Sequence, residues 1–121
     1  MRLRDLAIMA ALSGALATPA SAQTPLAVPA AIEAALPGAT EYTVTLQAGQ
    51  AYRFLLSSDA FDPMLELLSP AGAKLAEDDD GGGGLSAQIV HVARTSGTYR
   101  LRVLANRLGE SGGRYTLLAV T

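Results

Sequence analysis

The sequence of 121 residues contains no cysteine and no tryptophan, and its only histidine is His91. Without cysteine the chain can form no disulfide, no thiolate metal site and no cysteine nucleophile. It also cannot be a lipoprotein with acyl chains on an N-terminal cysteine. A single histidine excludes zinc sites that need two histidines, such as His-Glu-x-x-His.

Positive charge is also scarce, because nine Lys and Arg side chains are set against eleven Asp and Glu side chains, for a net charge of −2. Nucleic-acid binding depends on a basic patch, so we expect no nucleic-acid partner. The glycine run Gly81–Gly84 follows three aspartates, Asp78–Asp80. Three carboxylates would repel phosphate, so we do not interpret this run as a nucleotide-binding loop.

The only long apolar run lies at the N-terminus. A short basic start is followed by the apolar residues 6–17, a break at Thr18-Pro19 and the small residues Ala20-Ser21-Ala22. This pattern predicts a secretory signal peptide over residues 1–22, with cleavage after Ala22. The run is shorter than the roughly 20 residues that span a bilayer. We therefore expect no membrane span after cleavage, and a periplasmic or secreted protein.

The remaining residues divide into two parts. Residues 23–37 are rich in Ala and Pro, which predicts a flexible leader with a short element at 31–36. Residues 38–121 read as one domain in which apolar residues recur with a period of two. Turn signals such as Ala48-Gly49-Gln50 separate these segments, and that one predicts a hairpin between its two flanking strands.

Short alternating segments without a helical pattern predict an all-β protein, an antiparallel β-sandwich of about seven or eight short strands. The strongest pattern runs from Thr98 to Leu104, where Leu101 and Val103 face inward while Arg100 and Arg102 face outward. Four tyrosines fall on predicted inward positions, which favours a role in the core: Tyr42, Tyr52, Tyr99 and Tyr115.

Several short motifs occur in an order that is characteristic of one family. They are Tyr42-x-Val44-x-Leu46-x-Ala48-Gly49-x-x-Tyr52-x-Phe54, Phe61-Asp62-Pro63-x-Leu65-x-Leu67, Ser69-Pro70-x-Gly72-x-x-Leu75-Ala76-x-Asp78-Asp79-Asp80-Gly81, Ser96-Gly97-Thr98-Tyr99-x-x-x-Val103 and Gly113-x-Tyr115-x-Leu117. In this order and spacing, residues 32–121 resemble the bacterial pre-peptidase C-terminal domain.

The resemblance implies a jelly-roll-like β-sandwich that is attached to secreted peptidases and other exported enzymes and is itself non-catalytic. Related modules of collagenases bind matrix protein and use Ca²⁺. No peptidase domain precedes the resembling region here, so we expect any enzyme that it serves to be separately encoded. Other expected partners are an extracellular protein or a glycan.

The acidic loop leaves three interpretations open. Asp78, Asp79 and Asp80, with Asp62 from a second loop, could supply oxygen ligands to Ca²⁺, the one cofactor we consider. The alternating spacing of an EF-hand loop is absent, and neighbouring side chains of an extended chain point to opposite sides. The triplet could instead belong to a solvated hairpin turn, with Asp62 capping its own turn, or it could contact a ligand.

A catalytic site is not expected. Covalent hydrolysis needs a nucleophile, a base and an orienting group, and His91 lies on a predicted strand as a packed or edge side chain. We predict a non-enzyme, with a small hydrolase as a remote alternative.

Arg100 and Arg102 share one strand face and could form a binding surface for a partner or an anionic glycan. The alternative is a solvated face with cross-strand ion pairs. The leading hypothesis is therefore an exported binding or accessory module. The second is a structural, self-assembling envelope protein steadied by Ca²⁺.

Overall fold

The computed structural model describes residues 23–37, 40–79, 86–105 and 112–121. These residues form nine strands and no helix, so none of them belongs to a helix that could cross a membrane. The strands are β1 (Gln23–Pro25), β2 (Ala30–Ala35), β3 (Glu41–Leu46), β4 (Ala51–Ser57), β5 (Pro63–Leu68), β6 (Lys74–Asp78), β7 (Ser86–Val92), β8 (Gly97–Ala105) and β9 (Arg114–Val120). The predicted signal peptide lies outside the described residues.

The strands form two sheets that pack face to face as a β-sandwich. The first sheet has the order β1-β3-β8-β5-β6, and the second sheet has the order β2-β9-β4-β7. Every neighbouring pair is antiparallel except β1 and β3, which run parallel. The predicted antiparallel β-sandwich is confirmed.

The predicted hairpin around Ala48-Gly49-Gln50 is wrong. β3 belongs to the first sheet and β4 to the second, so this turn crosses between the sheets. Gly49 adopts a φ of 86°, and its N–H donates to the carbonyl of Ala93 at 2.8 Å. Only glycine takes this backbone conformation at little steric cost. β6 and β7 also belong to different sheets, so Asp78 and Asp79 do not lie in a hairpin turn either.

The core lies between the inner faces of the two sheets and follows the period-two pattern. The first sheet contributes the buried side chains Tyr42, Val44, Leu46, Leu65, Leu67, Tyr99, Leu101 and Val103, and the second contributes Tyr52, Phe54, Leu56, Ala87, Ile89, Tyr115, Leu117 and Ala119. Alternate residues of a strand point to opposite faces, so every second residue of each strand faces the core and needs to be apolar. The predicted inward positions of the four tyrosines agree with this arrangement.

Residues 23–37, predicted as a flexible leader with a short element at 31–36, contain β1 and β2 in the structure, and β2 overlaps that short element. β2 pairs with β9 along its whole length, from Ala30 opposite Ala119 to Ala35 opposite Arg114. Alternate β2 residues, including Ile32, pack against the core. Alanine has a low strand propensity and a small side chain, so an Ala-rich strand carries a weak period-two signal. Tertiary pairing outweighs that local preference.

A pair of tyrosine hydroxyls links the two sheets inside the core. Tyr42 lies on β3 of the first sheet and Tyr115 on β9 of the second, and their hydroxyl groups form a buried hydrogen bond of 2.5 Å. The hydroxyl of Tyr52 accepts a bond from the N–H of Gln47, and that of Tyr99 donates to the carbonyl of Thr95. Each tyrosine therefore buries its ring while its hydroxyl keeps a partner, as burial of a polar group requires.

The two tyrosines of the linking pair should contribute to stability in a coupled way, so that the effects of replacing them are not additive. Tyr42→Phe should cost about 1–3 kcal/mol because it takes a buried hydrogen-bond partner away from Tyr115. The double variant Tyr42→Phe/Tyr115→Phe should lose less than the sum of the two single changes. Urea unfolding of the four proteins measures this coupling free energy, and strict additivity would contradict a direct bond.

The same pair predicts a loss of stability at high pH. Burial and the hydrogen bond to Tyr42 raise the pKa of Tyr115 above its usual value, because both disfavour the phenolate. A raised pKa in the folded state adds to the free energy of unfolding. This stabilisation is fully present below the pKa of tyrosine in the unfolded chain, about 10, and is lost as the pH rises from there towards the pKa of the folded state. We expect the free energy of unfolding to fall from about pH 10 upward. The double phenylalanine variant should show a smaller fall over the same range.

Candidate functional site

One end of the sandwich brings together loops that are far apart in the sequence. Ser57 at the end of β4 pairs with Ser86 at the start of β7 and with Thr116 near the start of β9. In the first sheet, Pro63 at the start of β5 pairs with Ala105 at the end of β8, and Asp78 ends β6. We call this end, with Asp59, Asp62, Asp78 and Asp79, the acidic end.

The structure places three of the four predicted calcium ligands at the acidic end. Asp62 immediately precedes β5, Asp78 ends β6 and Asp79 follows it, and all three side chains are half-buried. Asp80 lies outside the described residues. Among the described residues, no group of three or more His, Asp or Glu side chains could hold a metal ion. The calcium site at Asp62, Asp78, Asp79 and Asp80 stays a prediction.

Asp78 has a structural role that the sequence pattern did not indicate. Its Oδ2 atom accepts a hydrogen bond of 2.8 Å from the backbone N–H of Gln88 on β7. β6 and β7 are edge strands of different sheets. The carboxylate therefore ties the two sheets together along one side of the sandwich, and a bond from a backbone N–H to a charged acceptor is stronger than a neutral one.

An open cleft of about 470 Å³ lies at the acidic end on the side of the second sheet. It is lined by Glu33, Ser57, Ser58, Asp59, Ala60, Arg114, Tyr115 and Thr116. Glu33 and Arg114 form an ion pair of 3.1 Å at its rim, where their side chains are 70% and 77% exposed. The lining combines hydroxyl groups with charges of both signs, which suits a polar ligand or a protein surface.

Ser58 holds the cleft in shape. Its Oγ atom donates to the carbonyl of Arg114 at 2.7 Å and accepts from the N–H groups of Ala60 and Phe61 at 3.0 and 3.3 Å. A serine that bonds to nearby N–H groups stabilises a turn. Here the same hydroxyl also links the β4–β5 loop to β9, so it connects two walls of the cleft.

Arg102, one half of the predicted binding surface, lies in a row of charges across the first sheet. Its guanidinium contacts Glu41 and Glu66, each at 3.4 Å. Lys74 on β6 contacts Glu66 at 3.6 Å and also pairs with Glu77, and Gln23 on β1 donates to Glu41. The hydrogen bonds to Glu77 and Glu66 raise the pKa of Lys74. This row corresponds to the solvated face with cross-strand ion pairs.

Arg100 differs from Arg102 although both lie on β8. Its backbone pairs with β3 and β5, but its side chain makes no hydrogen bond or ion pair with the described residues. Its Nη2 atom lies beside the turn at Gly72, 3.0 Å from the point where a Cβ of that residue would lie. The two arginines therefore do not act as one basic patch, and the role of this surface in binding stays a prediction.

His91 is half-buried on β7, with its ring tilted against that of Tyr99 at a centroid distance of 6.4 Å. Ala87 and Ile89 on the same strand are buried. His91 lies five residues from Ser86, which is about 16 Å along a strand. The histidine therefore cannot reach the serines of the cleft to act as their base.

Two solved structures share this fold over most of their length. One is the pre-peptidase C-terminal domain of a collagenase from Bacillus anthracis, with a TM-score of 0.68, 16% identity, and coverage of 84% of this chain and 98% of that one. The chain has a pre-peptidase C-terminal-like fold. The other is a periplasmic inhibitor of g-type lysozyme from Aeromonas hydrophila, with a TM-score of 0.63, 18% identity, and coverage of 80% and 95%.

These likenesses are in the fold and not in the sequence. No family model matches the chain, and no curated protein matches it either. At identities of 16% and 18% the likeness shows the fold alone. The pre-peptidase C-terminal-like fold therefore does not by itself assign a site, which has to come from the side chains of this chain.

The sequence did not indicate the cleft. Its walls come from β2, the β4–β5 loop and the start of β9, and the Glu33–Arg114 pair joins residues 81 positions apart. The hydrogen bond from Ser58 to the carbonyl of Arg114 likewise joins residues 56 positions apart. No local motif marks either feature, so only the tertiary structure reveals them.

The role of Asp78 can be separated from calcium binding by experiment. In excess EDTA, Asp78→Ala should lower the free energy of unfolding by about 1.5–3 kcal/mol, because the N–H of Gln88 loses a charged acceptor. Asp59→Ala, at the same end of the sandwich, is the matched control and should change stability little. An equal effect of the two variants on thermal unfolding would contradict the structural role of Asp78.

The calcium prediction is tested on the same proteins by adding Ca²⁺. A cation that binds only the folded state raises the free energy of unfolding by about 2.7 kcal/mol at a hundredfold excess over its Kd, and the melting temperature rises with it. A calcium site predicts this rise in the wild type and its loss in Asp79→Ala and Asp80→Ala. No change at millimolar Ca²⁺ would leave the acidic end without a calcium site.

Proposed function

We propose that the protein is an exported, non-catalytic module that binds another exported protein, and that this partner is a separately encoded enzyme. One observation supports this most directly. The same fold spans nearly the whole of a domain that belongs to a collagenase and of a periplasmic protein that inhibits a lysozyme. In both settings the sandwich accompanies an enzyme, once on the same chain and once as a separate molecule.

The cleft at the acidic end is the surface that suits this role best. Glu33 and Arg114 are strongly exposed, and an exposed ion pair contributes little to stability. Both side chains can therefore leave this ion pair and form new ion pairs with charged groups of a partner at little cost in stability. Ser58 keeps the surrounding backbone in place, so a partner would meet a preformed surface.

A non-catalytic role agrees with the positions of the reactive side chains. The single histidine of the chain packs against Tyr99, away from the hydroxyl groups of the cleft. A hydrolytic triad needs a histidine that bridges a carboxylate and a serine. No histidine lines the cleft to bridge Asp59 or Glu33 to one of its serines. The cleft can therefore bind polar groups without activating a nucleophile by this route.

The experiment measures binding of the purified full chain, as the expression host processes it, to two enzyme probes, a secreted collagenase and a g-type lysozyme. We expect binding to at least one probe, with a changed rate of that enzyme and no hydrolysis of casein or peptidoglycan by the chain alone. Glu33→Ala and Arg114→Ala should weaken binding, whereas Thr45→Ala on the first sheet should not. Hydrolysis by the chain alone that is lost in His91→Ala would overturn the proposal, as would absence of binding to both probes.

The second candidate function is self-assembly as a structural envelope protein, steadied by Ca²⁺ in the acidic end. It is favoured by the exposed apolar residues of β6 and β7, which lie away from the cleft. A mass that rises with protein concentration distinguishes self-assembly from binding to an enzyme alone.

A further inference from the structure

The exposed apolar side chains of the described residues lie along one side of the sandwich. The large hydrophobic residues with high exposure are Leu75 on β6, at 44%, and Val90 and Val92 on β7, at 65% and 55%. β6 and β7 are the edge strands on this side of the two sheets, and they lie next to each other. Single exposed hydrophobic residues are common, but a group of them on adjoining edges indicates a contact surface.

The backbone of β7 offers hydrogen-bonding groups along the same edge. In an antiparallel strand, the N–H and C=O groups of alternate residues point to the same side. The N–H of Gln88 points away from β4, because it donates to Asp78 on β6. Val90 and Val92 follow at even spacing, so their N–H and C=O groups also face the open edge. Neither residue has another strand beside it on that edge among the described residues.

The other three edges of the sandwich carry features that discourage strand addition. β1 has three residues, one of them Pro25. β2 follows directly after Pro29 and carries Glu33. β6 has an irregular register at Leu67/Leu68 and carries Lys74 and Glu77. Proline, charge, bulges and short length all protect edges, and β7 shows none of them over its seven residues.

The charges around β7 favour a second copy of the same chain as the occupant of this edge. β7 itself carries no Asp, Glu, Lys or Arg, so two copies would not repel each other. The carboxylate of Asp78 accepts from the backbone N–H of Gln88, the guanidinium of Arg53 on β4 donates to the side chain of Gln88 at 2.6 Å, and Arg94 follows the other end of the strand. Arg94 is exposed and makes no hydrogen bond or ion pair with the described residues.

We propose that the protein forms a symmetric dimer in which β7 pairs antiparallel with β7 of a second copy. With Val90 opposite Val92 of the second copy, both valines exchange backbone hydrogen bonds and pack as β-branched cross-strand pairs. This register places Arg94 of each copy opposite Gln88 of the other, where the Asp78 carboxylate lies. The two-fold axis forms this charge contact twice. The pairing joins the second sheets of both copies into one sheet of eight strands.

The test measures mass against concentration for the full chain, as the expression host processes it, by analytical ultracentrifugation. Because few residues take part, we expect a weak dimer with a dissociation constant above about 1 µM. Val92→Lys and Arg94→Glu should each raise that constant about tenfold or more without lowering the melting temperature. Thr45→Lys, which changes an exposed β-branched residue on the interior strand β3, should leave the constant unchanged.

Amide hydrogen exchange identifies the pairing surface. The amides of Val90 and Val92 should exchange more slowly as the protein concentration rises, whereas the amide of Gln88, already bonded to Asp78, should not change. A chain that stays monomeric up to about 1 mM overturns the proposal. The proposal is also overturned if the Val92→Lys variant dimerises as tightly as the wild type. The same holds if the wild type dimerises but the amides of Val90 and Val92 do not exchange more slowly.

Discussion

The two sheets of this protein are held together by the burial of their inner faces, because a chain without cysteine has no disulfide to join them. Buried aliphatic and aromatic side chains from alternate positions of six strands fill the space between the sheets. Each large side chain that leaves water in this way stabilises the fold by about 1.5–3 kcal/mol. Among the described residues, the fully buried side chains that carry a polar group in this layer are tyrosines whose hydroxyls have partners, and the bond between Tyr42 and Tyr115 crosses the layer. The alternation along every strand follows from this single constraint.

The outward faces are free of that constraint, and they differ from each other. The first sheet carries a row of charges from Gln23 through Glu41, Arg102 and Glu66 to Lys74, which keeps that face in water. The second sheet ends at β7, whose outer residues Val90 and Val92 are apolar. The side chains of Glu41 and Glu66 in this row are only 16% and 13% exposed, so they are less accessible to a partner than the exposed ion pair of the cleft, whereas an apolar edge gains from being covered.

The two candidate contact surfaces lie at different places and can operate together. The cleft with Glu33, Ser58 and Arg114 lies at the acidic end and suits a partner with polar groups. The edge of β7 faces sideways and suits a strand. Asp78 connects the two regions, because it lies at the acidic end and its carboxylate accepts a hydrogen bond from the N–H of Gln88 at the start of the open edge. A dimer through β7 would present two clefts, and two linked sites bind a partner with two matching epitopes more tightly than one site does.

The sequence alone determined the all-β class, the inner faces and most strands, because alternation and turn residues are local signals that burial imposes directly. Thr98–Leu104 falls within β8 and Tyr42–Leu46 within β3, with the predicted residues inward. The sequence did not show that β3 and β4 belong to different sheets, that the Ala-rich segment around Ile32 forms a strand, or that Asp78 binds Gln88. These features depend on pairing between residues far apart in the chain. Such pairing is decided by how whole strands fill the sandwich, which no local pattern encodes.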